Sequence, residues 1–221
     1  TITCLLTLAL AGGAQQVFAQ TIALEDFGDG GTPDPGGWST GPTGAAVADA
    51  GEQGVGDHAL RYGSPTAGFH VLNFSSPDFL GDLASQQVGA MEFNARHTGV
   101  GDHVDLRAYL FNGGFFAGGD HAVSNHVVSI SNSMTDWNSY SIPLTASDLI
   151  LIQGTLSGLL SGVTQIGLRH DPTGAGATVP HPLNAPTDVY FDDIRLVVPE
   201  PATFVLLALI GFLALARRRW R

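Results

Sequence analysis

The sequence predicts an all-β sandwich, and three observations carry that prediction. Short segments of alternating polar and apolar residues recur along the chain. Glycine, proline, Asn and Asp punctuate them, and no long helix-period stretch with caps falls between Thr21 and Val198. Strict alternation marks strands buried on one face only, and many such strands with turn signals between them build two packed sheets.

In chain order the predicted strands are 22–27, 58–62, 69–74, 88–96, 104–111, 126–131, 139–144, 163–170 and 188–198. In the fifth, Val104, Leu106, Ala108 and Leu110 share one face, and Asp105, Arg107, Tyr109 and Phe111 share the other. In the eighth, Ile166 and Leu168 point one way while Gln165 and Arg169 point the other. Residues 147–160 are ambiguous: Asp148 could cap a short helix, but Gly154 and Gly158 weaken it, and a loop or one to two turns is expected. Glycine-heavy loops are expected at 28–44, 113–119 and 172–186.

Apolar segments bracket this region. Residues 2–10 are mostly apolar, and Val17-Phe18-Ala19 ends on a small side chain before Gln20. That pattern is the apolar core and cleavage site of a secretory signal peptide, cut after Ala19. The chain opens on Thr1, so the basic start of the signal is expected upstream of it. At the other end, Ala202 to Ala216 carries no charge, and four of the last five residues are arginine. Fifteen helical residues reach about 22 Å, short of the roughly 30 Å hydrocarbon layer. The arginines and Trp220 can snorkel to the headgroups, which predicts a membrane-inserted helix with its positive end in the cytoplasm. The expected organisation is therefore a signal helix at 1–19, one sandwich domain at 20–197, and a hydrophobic helical tail at 198–221.

The central region is one domain's worth of chain, long enough for a sizeable core. The only cysteine is Cys4, inside the signal, so the domain has no disulfide, thiolate metal site or cysteine nucleophile. It holds five arginines, no lysine and all acidic residues except Glu200, a net charge of about −14. Such a surface repels nucleic acid and anionic lipid, and suits divalent cations or neutral glycans.

Two resemblances follow from these residues. Pro199-Glu200-Pro201, the apolar helix and the Arg217-Arg218-Arg219 cluster resemble the PEP-CTERM sorting signal of exported bacterial proteins. That resemblance implies an exosortase-type membrane enzyme as partner, and delivery to the cell surface or extracellular matrix after transient anchoring in the inner membrane. Within the domain, four segments carry a second likeness: Leu24-Glu25-Asp26-Phe27 with Trp38, Gly56-Asp57-His58-Ala59-Leu60-Arg61, Trp137 to Leu144, and Tyr190 to Leu196. They resemble the jelly-roll modules of carbohydrate-binding and galactose-binding-like domains. By their place in these motifs, Trp38, Trp137 and Tyr140 are expected in the core.

Candidate sites are few. In the last strand, alternation places Asp192 on the same face as Ile194 and Leu196, and Glu25 shares a face with Phe27. If first and last strands lie together, two carboxylates meet at the core's edge, where a hard cation would offset their burial. A structural Ca²⁺ held by Glu25 and Asp192, with backbone carbonyls and Asp57, is the resulting expectation; the resembling modules carry such an ion. The alternative is that Asp192 or Asp193 pairs with an arginine or caps a turn. The histidines lack the spacing of a His-Glu-x-x-His zinc site. The triplets Gly-Asp-His at 56–58, 101–103 and 119–121 read as turns.

No Gly-x-Ser-x-Gly elbow or phosphate-cradling loop occurs. Asp105, Arg107 and Tyr109 form an outward set suited to a glycan, followed by Phe115 and Phe116, with an ordinary solvated face as the alternative. These features favour a non-catalytic surface or matrix protein that binds glycan or matrix. The competing readings are a polysaccharide lyase or glycoside hydrolase on the same sandwich, and a purely structural matrix protein.

Overall fold

The computed structural model describes residues 20–199, apart from 29–30, 32–33, 40–44, 49, 65–69, 114–118 and 174–181. The predicted signal segment, Phe115, Phe116, Glu200, Pro201 and Arg217 to Arg219 lie outside the described residues. Among those described, no helix is long and apolar enough to cross a membrane.

In chain order the strands are β1 (Gln20–Glu25), β2 (Trp38–Ser39), β3 (Ala45–Val47), β4 (Ala59–Ser64), β5 (His70–Asn73), β6 (Ala90–His97), β7 (Val104–Phe111), β8 (His121–Ser124), β9 (Val128–Ile130), β10 (Asn138–Pro143), β11 (Leu149–Gln153), β12 (Gln165–His170) and β13 (Thr187–Val198). A single short helix, α1 (Leu156–Leu160), stands beside two 3₁₀ turns among the described residues. The first sheet runs β10-β6-β13-β4-β3, with β1 also on β13; the second runs β11-β8-β7-β12-β5-β2, with β9 on β7. Every strand pairing is antiparallel. The architecture is the β-sandwich that the alternation and turn signals predict, of the jelly-roll kind that the resemblance implies.

Inward side chains of both sheets form one core. From the first sheet come Leu60, Met91, Phe93, Val189, Phe191 and Ile194; from the second come Val71, Leu106, Leu110, Ile166 and Leu168. Burying each large apolar side chain contributes about 1.5–3 kcal/mol. Trp38 is in this core and meets Phe79 edge-on at 5.3 Å. Tyr140 is half-buried and stacks on Phe93 at 5.6 Å. Trp137 differs from expectation. It is half-buried beneath the Arg96 guanidinium, 5.2 Å from its ring centre, and Arg96 points to the outer face of the first sheet.

The element that decides the candidate metal site is a bulge in β13. Asp192 pairs with Asn94, but the next pair is Arg195 with Glu92, so Asp193 and Ile194 together face one residue of β6. Asp193 takes φ of 48°, a left-handed conformation that a short polar side chain tolerates. The extra residue flips the alternation. Val189 and Phe191 point inward before it, Ile194 and Leu196 after it. Asp192 therefore shares the outer face with Tyr190 and Asn94. This overturns the expectation that Asp192 points inward with Ile194.

Residues 147–160 also differ from expectation. Leu149–Gln153 is an edge strand paired with β8, and the following helix is capped by Thr155, whose side chain accepts from the Gly158 amide. Asp148 instead closes the 3₁₀ turn before β11.

Candidate functional site

The outer face of the second sheet carries the richest constellation. Asp105, Arg107, Tyr109 and Phe111 lie on it together, as alternation along β7 predicts, because Val104, Leu106, Ala108 and Leu110 fill the core. Cross-strand register builds three rows. His70, Arg169 and Arg107 form the first. Leu72, Gly167, Tyr109 and Val123 form the second. Gln165, Phe111 and His121 form the third.

The first two rows are closed networks. Arg107, 8% exposed, donates to three carbonyls: Asp171 at 3.0 Å, Ser124 at 2.9 Å and Asn125 at 2.7 Å. It ties the ends of β8 and β12 to β7. The Tyr109 hydroxyl donates to Asp171 Oδ2 at 2.5 Å, and the Arg169 guanidinium lies 4.1 Å above its ring. Burial, then the bond to Asp171, hold the Tyr109 phenol well above its ordinary pKa, so it stays a donor at neutral pH. Burial also lowers the Arg169 pKa and, with Arg169 alongside, lowers that of His70, which leaves the imidazole neutral. The cation over the ring contributes about 2 kcal/mol where water is excluded. Asp105 is engaged as well: Ser129 Oγ donates to it, and His103 Nε2 lies 3.3 Å away. The three predicted ligand residues therefore share one face, but each is bound within the protein.

The third row is more open. Tyr109 stacks on Phe111 (centroids 6.2 Å, 21° between planes), and Phe111 stacks on His121 (5.6 Å, 22°). His121 and Gln165 are half-buried, Gln153 beside His121 is exposed, and Phe74 is 51% exposed. Phe74 follows Asn73, the partner of Ile166, and so lies at the Gln165 end of the sheet. The rings make a row across the face, but Tyr109 and Phe111 are buried, at 1% and 4% exposure, and pack with Val123 and Ile152; His121, Gln165, Gln153 and Phe74 are what reaches the surface. His121 has no sequence signal of its own, because its Gly-Asp-His triplet reads as a turn. Gln165 and Phe111 were legible from alternation alone.

The acidic corner lies elsewhere, on the outer face of the first sheet. Asp192 is 2% exposed and accepts from the Glu52 amide at 3.0 Å and the Asp193 amide at 2.8 Å. Burial, with Asp57 and Asp193 close by, pushes its pKa up to about 7 against the lowering effect of the Glu52 amide. Asp57, 5% exposed, accepts from the Gln53 amide and packs against Gly51. Asn94 bridges Glu52 at 2.7 Å and Asp193 at 3.2 Å.

Glu25 is not in this corner. It pairs with the inward Ile194, accepts from the Phe27 amide at 3.0 Å, and occupies the space beside Gly36. Burial raises its pKa, as do Asp26 and Asp34 nearby. Thus the structure brings Asp57 and Asp192 together and leaves Glu25 on the other face of the sheet. Among the described residues, no three carboxylate or histidine side chains form a group that could hold a metal ion. Glu25 therefore lies apart from Asp57 and Asp192, the other two residues expected to hold calcium.

Comparison with known proteins bears on both ends of the argument. Residues 197–219 match the PEP-CTERM protein-sorting motif. No curated protein matches the chain by sequence. Among solved structures, the domain is similar to a family 11 carbohydrate-binding module from Clostridium thermocellum in complex with a beta-1,3-1,4-mixed-linked tetrasaccharide. That match has 14% identity and a TM-score of 0.51, covering 81% of this chain and 96% of the module. It is also similar to the tandem CBM22 domains of Paenibacillus barcinonensis Xyn10C, at 15% identity and a TM-score of 0.50, over 87% of this chain and 52% of that one. An exo-beta-agarase matches at 14% identity and a TM-score of 0.52 over 82% of this chain, which spans only 25% of the agarase. At these identities the likeness is one of fold. The chain is a jelly-roll sandwich like carbohydrate-binding modules, followed by a protein-sorting motif.

Proposed function

We propose that this is an exported surface or matrix protein, processed by an exosortase-type membrane enzyme, whose sandwich binds a neutral extracellular polysaccharide without cleaving it. The observation that carries the reading is the surface row of His121, Gln153, Gln165 and Phe74 on the second sheet's outer face, with the buried Tyr109 and Phe111 rings stacked beneath it. Sugar rings present apolar C–H faces and a rim of hydroxyls. The exposed Phe74 ring and the half-buried His121 ring take the first, and the Gln165 and Gln153 amides lie beside them for the second. Arg107, Arg169 and Asp171 act beneath the row, holding Tyr109 and the strand ends in place. The sorting motif supports export, and the fold likeness to modules such as the tetrasaccharide-bound one supports a glycan as ligand. The acidic balance of the domain favours a neutral chain over an acidic one.

The non-catalytic reading rests on how the carboxylates of this face are used. Asp171 accepts from Tyr109 and Thr173, and Asp105 from Ser129, so neither is a free acid or base positioned for glycoside hydrolysis. Tyr109, fixed as a donor, is a poor base for an elimination. The test is a panel of neutral polysaccharides offered to the secreted protein, with binding followed by calorimetry and turnover by release of reducing ends. Binding without turnover is expected, weakened at least about tenfold by His121→Ala, or 1.4 kcal/mol. Turnover would replace this reading with the enzymatic one. Silence in both assays would replace it with a structural role.

A further inference from the structure

The outer face of the first sheet carries a row of its own, built from cations and rings in turn. Register sets it out: Arg61 on β4 pairs with Tyr190 on β13, and Tyr190 pairs with Arg96 on β6. Trp137 comes one residue before Asn138, the partner of Ala95, so it extends the row beside Arg96. These side chains point away from the core, since Leu60, Tyr62, Ala95, Val189 and Phe191 beside them point into it. The Arg96 guanidinium lies 5.2 Å from the Trp137 ring centre and 4.8 Å from that of Tyr190. Trp137, Arg96 and Tyr190 are half-buried and Arg61 is exposed, so every member reaches the surface.

The two arginines are held in different ways. Arg61 is fixed by Asp188 at 2.7 Å, and Gly63 leaves room for that carboxylate, because a Cβ there would fall 2.6 Å from Asp188 Oδ1. Arg96 is fixed by rings. Among the described residues its five N–H groups make one hydrogen bond, at 3.3 Å to the Ala50 carbonyl, and the buried Nε makes none. By contrast Arg195 holds Glu92, and Arg107 holds three carbonyls. Rings on neighbouring strands thus orient the Arg96 guanidinium without using its donors. A fork so placed suits a planar acceptor that arrives from outside, and a carboxylate matches its geometry.

We propose that this row binds an acidic polysaccharide, a chain of uronic acid residues, on the sheet opposite the neutral-glycan face. Trp137 takes the apolar face of a sugar ring, Arg96 takes a carboxylate, and Arg61 meets a second one further along the chain. The two arginines stand two strands apart, roughly 10 Å at about 4.8 Å per strand, a spacing that suits carboxylates on alternate residues of an extended polyuronate. The domain's net negative charge opposes such a chain at long range. Salt screens that repulsion beyond about 8 Å, whereas the arginine contacts act at hydrogen-bond distance. The acid in the row, Asp188, is already paired with Arg61. The acidic corner around Asp192 lies one register row away, where backbone amides and Asn94 engage it.

Titration of the ¹⁵N-labelled secreted protein with trigalacturonate, in salt of about 0.15 M, tests the proposal. Saturable shifts should appear at the Trp137 indole N–H, the Arg96 Nε–H and the Tyr190 amide, and stay small at His121 and Gln165. The fully methyl-esterified trisaccharide keeps the sugar rings and loses the charge, and should bind at least about tenfold more weakly, or 1.4 kcal/mol. Arg96→Gln should weaken trigalacturonate by the same factor. The ester comparison uses the wild-type protein and decides the question even if that variant melts early. Equal affinity for ester and acid, shifts confined to the second sheet, or no shifts at millimolar trigalacturonate overturns the proposal. The same shifts from acetate at equal concentration also overturn it, because a bare carboxylate would then suffice. A neutral panel that fails to bind leaves these results unaffected, so the two binding readings fail separately.

Discussion

Replacing Asp192 by asparagine should make the protein more stable at neutral pH and erase much of the pH dependence of its stability. Asp192 is buried at 2% exposure beside Asp57, and its pKa rises to about 7 from an ordinary value near 3.8. A raised carboxyl pKa means that the folded state holds the proton more tightly than the unfolded chain. The stabilisation is complete below about pH 4 and is lost as pH climbs through about 7. Three pKa units at 1.36 kcal/mol each give a swing of about 4 kcal/mol. Asparagine cannot ionise, so it avoids that loss. It can accept from only one of the two amides, Glu52 or Asp193, that the carboxylate engages, which costs about 1 kcal/mol. The net gain above pH 7 is about 3 kcal/mol, or roughly 6–12 °C in Tm for a domain of this size. Thermal melts of both proteins at pH 4, 5, 6, 7 and 8, in EDTA, measure it. The gap should grow from pH 4 to 7 and then level. A gap that stays constant within about 0.5 kcal/mol across the range would refute the argument.

Other perturbations probe separate parts of the structure. Gly36→Ala should lower stability by about 1 kcal/mol or more in denaturant melts: its φ is +54°, where an L side chain is strained, and the Glu25 carboxylate beside it would have to turn aside. Tyr109→Phe removes the hydroxyl that donates to the buried Asp171 and should cost about 1–3 kcal/mol, read by the same melts; an unchanged midpoint would mean the bond contributes nothing to stability. Adding 5 mM calcium to EDTA-treated protein should shift Tm by less than about 1 °C, since Glu25 does not join Asp57 and Asp192; a larger rise would restore the metal site.

Much of this was readable from residues alone, and the exceptions have physical causes. β7 displays its two faces in plain alternation, so the core set and the outward set were both legible there. β8 and β11 were not. His121–Ser124 is four residues long beside glycine, and Leu149–Gln153 is a continuous apolar run that alternation cannot assign. The bulge at Asp193 was invisible because nothing in an Asp-Asp pair announces a left-handed residue, yet that one insertion moves Asp192 to the other side of the sheet. Arg107 had the right chemistry for a ligand contact. Three carbonyls brought to it by β8 and β12 use its donors first, and that is a tertiary fact. Trp137 misled for a similar reason, since its partner Arg96 comes from a neighbouring strand.

The central claim is that neutral glycan binds across the row of His121, Gln153, Gln165 and Phe74 on the outer face of the second sheet. Titrating the ¹⁵N-labelled secreted protein with the best-binding oligosaccharide of a neutral panel tests it most directly. Shifts should concentrate at Phe74, His121, Gln153 and Gln165, with little change at Arg96, Tyr190 or Asp192. Saturable shifts on that first-sheet face, or none at millimolar concentration of any panel member, would contradict it.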